Sequence, residues 1–126
     1  MNDFDTSKYA ENKTGVSFEF FPPRNATMLR KFWRTVGRLE ALRPDFFSVT
    51  YGALGSGREQ SLNTVRDLCS ETGVPVAAHL TCAGSSRDAL NATIDDLLSY
   101  GIQGIVALRG DGEDPEQPYQ AAADGY

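Results

Sequence analysis

Four short runs of β-branched and aromatic residues, at 16–21, 46–51, 74–81 and 105–108, alternate with three stretches whose apolar residues recur every third or fourth position. Few folds accept that rhythm, because strands separated by helices make βαβ units, and such units build a parallel sheet through right-handed crossovers. The chain therefore reads as α/β. Leu29, Phe32, Trp33, Val36 and Leu39 mark one face of the first helix, 26–42, with Asn25 as its N-cap and Pro44 stopping it. The second helix carries Leu62, Val65, Leu68 and Cys69, with Gly73 as a left-handed C′ residue. Ser85 and Asp88 have capping-box spacing before the third, which carries Leu90, Ile94, Leu97 and Leu98 and closes at Gly101.

Charge narrows the partners. The 126 residues carry a formal net charge of -5, and the whole excess lies after Gly110, where Asp111, Glu113, Asp114, Glu116 and Asp124 meet no base. The neutral body has no Lys/Arg stripe, which argues against nucleic acid and anionic membrane as partners. Two cysteines, Cys69 and Cys82, make neither a disulfide framework nor a zinc site, and reduced thiols suit a cytoplasmic protein. Residues 1–14 lack an apolar run and read as a polar leader.

In parallel α/β sheets chemistry gathers at the carboxyl ends of the strands, where loops and helix N-termini open. Glu19, Thr50, His79 and Asp111 fall there at intervals of roughly thirty residues, one per βα unit, which sets all four on one rim. Glu19 lies among aromatic residues, where burial would favour its protonated form, as a general acid requires. Pairing with a buried arginine is the structural alternative for Glu19, a satisfied core position that for His79, and simple strand propensity that for Thr50. In Arg109-Gly110-Asp111 the glycine would let backbone approach a flat ring, with charge on either side. Gly55-Ser56-Gly57 lacks the lysine of a phosphate-binding loop and reads as a rim loop.

Four segments, Val16-Ser-Phe-Glu-Phe-Phe-Pro-Pro-Arg24, Phe47-Ser-Val-Thr-Tyr-Gly-Ala53, His79-Leu-Thr-Cys82 and Ile105-Val-Ala-Leu-Arg-Gly-Asp111, together resemble the methylenetetrahydrofolate reductase family. That resemblance implies an eight-stranded (β/α) TIM barrel, of which residues 15–126 would be the amino-terminal half, about four βα units. It implies FAD as cofactor, NADH or NADPH as electron donor, and 5,10-methylenetetrahydrofolate as the substrate reduced to 5-methyltetrahydrofolate. Glu19 matches the family's general acid. Thr50 matches a position on the nicotinamide and substrate side of the flavin, while Tyr51, Ala53, His79, Arg109 and Gly110 match flavin contacts. Asp111 matches an aspartate that touches both flavin and folate. A barrel needs about 250 residues, so the expectation is a partial barrel, inactive alone, from an enzyme that forms homo-oligomers when whole. The rival expectation is a noncatalytic half-barrel that needs a partner chain to complete it.

Overall fold

The computed structural model describes residues 14–52, 57–112, 114 and 116–126. Nearly all of the polar leader, together with Ala53 and most of the glycine-rich loop, lies outside the described residues. The elements run β1 (Ser17–Phe20), α1 (Ala26–Glu40), β2 (Phe46–Val49), α2 (Arg58–Glu71), β3 (Val76–Thr81), α3 (Arg87–Ser99) and β4 (Gly104–Leu108). The alternation read from the sequence is present, with some strands shorter than expected. β3 begins at Val76 rather than at 74, because Pro75 has no N–H to give a ladder and offers only its carbonyl, which accepts from Phe47 N at 2.8 Å.

All three strand pairings are parallel, and the order is β1-β2-β3-β4. No reversal interrupts that order, so successive right-handed crossovers put every helix on the same side, as in a barrel and unlike a doubly wound sheet. The core records this one-sidedness. Phe20, Phe47, Val49, Val76 and Ala78 from the strands share a single buried cluster with Phe32 and Val36 of α1, Val65 and Leu68 of α2, and Leu97 of α3. Phe20 meets Phe32 and Phe47 edge-on, with ring centroids 5.2 and 5.1 Å apart. Burial also pushes the Cys69 thiol up from its ordinary value, so it behaves as a core residue, and both cysteines are free.

Helix ends agree with the sequence in part. Asn25 caps α1 by accepting from Met28 N at 2.9 Å, and Gly101 takes a positive φ of 85° after α3. Two assignments are corrected. The N-cap of α3 is Ser86, whose hydroxyl accepts from Ala89 N, so the Ser85/Asp88 capping box is one residue out of register. Gly73 is not a left-handed cap: α2 ends on Thr72, in extended conformation, whose hydroxyl donates to Leu68 O at 2.8 Å. Leu29 and Leu98 were expected in the apolar stripes and are exposed, whereas the hydroxyl-bearing Thr64 and Thr93 are buried. Each of those hydroxyls donates to a carbonyl one turn back, which removes the cost of burying it. Among the described residues Arg43, between α1 and β2, is the non-glycine residue in the left-handed region, with φ 53°.

Candidate functional site

Side chains alternate across a strand, so the residues that skip the helical core point to the other face of the sheet. That face carries Glu19 on β1, Ser48 on β2, and Ala77, His79 and Thr81 on β3. Register sets Glu19 beside Ser48 and Ser48 beside Ala77, with His79 one step further along the same face. Because Ser48 and Ala77 are small, the longer Glu19 and His79 side chains meet above them, with His79 Nε2 3.1 Å from Glu19 Oε2. The imidazole is nearly enclosed, at 12% exposed, and the carboxylate is half-open at 51%. Two expectations change accordingly. Glu19 is not buried among aromatics, since Phe18 and Phe20 turn toward the helices, and its partner is His79 rather than a buried arginine.

The turn after β2 is held from α2. Thr50 N still donates to Phe20 O at 3.0 Å, and Gly52 N donates to the Ser61 hydroxyl at 3.1 Å. That hydroxyl lies 2.9 Å from the carbonyls of both Thr50 and Gly57, one of which takes its proton. A Cβ on Gly52 would fall 2.5 Å from Gly57 Cα, so the two ends of the loop touch backbone to backbone. Ser61 was not foreseen, because a serine within a helix gives no signal that it stitches the loop before it.

Pairing between β3 and β4 continues past both strands: Cys82 N donates to Leu108 O at 2.9 Å and Ala83 N to Arg109 O at 2.8 Å. Gly110 then turns the chain with φ 82°, and a Cβ there would run into Thr81 Cγ2. Arg109 stacks its guanidinium 4.6 Å from the ring centroid of Tyr119, and its Nε donates to Gly110 O.

Beyond these ends opens a cleft of about 920 Å³, within the size range of small-molecule sites. Tyr51, Arg58, Thr81, Asp111 and Tyr119 are among its lining residues. Its outer wall is residues 117–122, brought back because Arg87 Nε donates to Gly125 O at 2.8 Å and Tyr126 OH to Asn91 Oδ1 at 3.1 Å. Tyr51 and Asp111 thus share one cleft, and Arg109 stacks on a residue that lines it. Glu19 and His79 are not among its lining residues; His79 lies two residues before Thr81 on the same face of β3. Ala53 lies outside the described residues. Arg58, Thr81 and Tyr119 were missed, and no periodicity in the sequence marks them. Among the described residues no three His, Cys, Asp or Glu side chains gather as a metal site, and no helix is long and apolar enough to cross a membrane.

The methylenetetrahydrofolate reductase family model matches residues 5–125. The 5,10-methylenetetrahydrofolate reductase of Buchnera aphidicola from Acyrthosiphon pisum is 47% identical over 100 residues, covering 79% of this chain and 34% of that protein. The Escherichia coli enzyme of the same name is 42% identical over 101 residues, 80% of this chain and 34% of its own length. A rice protein described as a probable methylenetetrahydrofolate reductase (NADH) is 30% identical over 117 residues, 93% of this chain and 20% of its own. The chain thus spans about a third of the length of its bacterial relatives. With a family match across nearly the whole chain and a singly wound parallel sheet that agrees with the family's TIM barrel, the chain belongs to the methylenetetrahydrofolate reductase family.

Proposed function

We propose that this chain is the amino-terminal part of an enzyme that reduces 5,10-methylenetetrahydrofolate to 5-methyltetrahydrofolate with electrons from NADH or NADPH, and that FAD binds in the cleft at the ends of β2, β3 and β4. The observation that carries the reading is an ionisable pair, Glu19 and His79, on the sheet face along which β3 runs on to Thr81, a residue that lines a cleft together with Tyr51 and Asp111. The donor set fits a flavin. It offers two aromatic rings, a hydroxyl and the Asp111 carboxylate, with the turn at Gly110 leaving room for the Thr81 side chain.

Bound FAD supplies hydride transfer between the nicotinamide and the folate. The chain's own residues do the rest. Glu19 gives a proton to a folate ring nitrogen, without which the closed five-membered ring is a poor hydride acceptor. Thr50 and Tyr51 contact the flavin at the turn that Ser61 holds, Thr50 on the side where nicotinamide and folate bind. Ala53, His79, Arg109 and Gly110 are further flavin contacts in this reading, and Asp111 faces both flavin and folate. The four strands form one side of the site, and the remaining strands of the family's barrel form the other. By the same reading residues 1–126 alone do not turn over, the complete protein works in the cytoplasm, and it assembles as a homo-oligomer.

The test is purification of the full-length protein. Flavin absorbance, oxidation of NADH or NADPH, and formation of 5-methyltetrahydrofolate are expected together, and a protein that holds flavin but leaves the folate untouched would sink the reading. Asp111→Asn is expected to raise the flavin's reduction potential, since one negative charge beside the ring is removed, and to weaken folate binding. Spectroelectrochemical titration and a folate binding isotherm check it, and no change in either would take Asp111 out of the site.

A further inference from the structure

We propose that His79 is the positioning residue of the proton donor: its Nε2 holds the Glu19 carboxyl over Ser48 and Ala77 on the sheet face, so that its proton points to the folate. This deepens the functional reading above and rests on it. Glu19 sits on β1, and its carboxylate reaches across Ser48 of β2 to the β3 imidazole. His79 is different. It is fixed in β3, which pairs with a strand on each side, and its ring is nearly enclosed. The 3.1 Å contact joins the more enclosed imidazole to the less enclosed carboxyl, so the imidazole is the side that fixes the other.

Among the described strand residues of this face nothing competes. The strand residues on this face are Ser17 and Glu19, Phe46 and Ser48, Ala77, His79 and Thr81, and Gly104, Val106 and Leu108. Glu19 and His79 are the only ionisable side chains among them. Ser48 and Ala77, 5% and 3% exposed on an open face, lie beneath the pair and form the floor over which it closes. The contact uses one ring nitrogen, so the imidazole can hold the carboxyl and still present its other edge to a flavin.

The experiment uses the full-length holoenzyme with His79→Leu and His79→Gln, measuring the two half-reactions separately. Leucine removes the donor, whereas glutamine places an amide N–H near the position of Nε2. His79→Leu should slow folate reduction roughly 10- to 100-fold, the scale of a displaced reacting group, and by clearly more than it slows flavin reduction by the nicotinamide, where only the flavin contact is lost. His79→Gln should recover most of the loss. Equal losses in both half-reactions would reduce His79 to a flavin contact, and a glutamine variant as slow as the leucine one would assign the effect to the ring itself. A third measurement does not depend on turnover: on Glu19→Gln, the ¹⁵N resonance of His79 Nε2 should move. A resonance that stays put overturns the pairing. If it moves while the wild-type enzyme fails to reduce folate, the pair stands and the functional reading falls.

Discussion

Replacing Glu19 by Gln in the full-length reductase is expected to slow formation of 5-methyltetrahydrofolate by roughly 100- to 10,000-fold, the range that a positioned general acid contributes. The amide has the carboxyl's shape and can still meet His79, so the strand, its register and the cleft are unaffected. What it lacks is an acidic proton. Flavin binding and flavin reduction by the nicotinamide should persist, because neither draws on that proton. Rapid-mixing kinetics separate the two steps: bleaching of the flavin by NADH or NADPH tests the first, and its reoxidation by the folate tests the second. Near-wild-type reoxidation would remove Glu19 as the acid. A parallel loss in both steps would mean that the substitution had disturbed the cofactor instead.

Phe47→Ala should destabilise the fold by about 3 to 5 kcal/mol, a large part of the margin by which domains are folded. Phe47 is fully buried at the centre of the helix-facing layer, where it meets Phe20 edge-on and lies between β1 and β3. Truncation leaves a ring-sized void that β2, paired on both sides, cannot collapse to fill. Phe47→Leu keeps most of the volume and should cost clearly less. The urea midpoint of the full-length protein measures both. Equal midpoints for Phe47→Ala and wild type would show that the layer repacks, contrary to the close packing seen around this ring.

The path of the chain was legible because its signals are local. Asn25, Pro44 and Gly101 mark boundaries through the conformations they accept, and the three-and-four spacing of Phe32 and Val36 or Leu90 and Leu97 follows from helix geometry. What failed depended on neighbours. Ser85 and Ser86 are equivalent as caps until the helix start is known, and Leu97 and Leu98 are equally apolar until one of them faces the sheet. The rim was legible to a similar degree. Glu19 and His79 were each visible as strand-end polar residues, but their pairing runs across β2 and depends on the small size of Ser48. Arg58 and Tyr119 reach the cleft from a helix start and from a returning segment, and the sequence encodes neither approach in a spacing.

Arg43 carries a different kind of consequence. Its left-handed backbone strains an L-residue by about 1 to 2 kcal/mol, and it does so in the connection between α1 and β2, at the amino ends of the strands. The chemistry is assigned to the opposite end. Barrels of this kind divide their labour, with one rim given to reactivity and the other to durability. Arg43→Gly should relieve that strain and raise the melting temperature by a few degrees, with both half-reactions unaltered. That outcome would show stability at one end of the four strands changing apart from the chemistry proposed for the other.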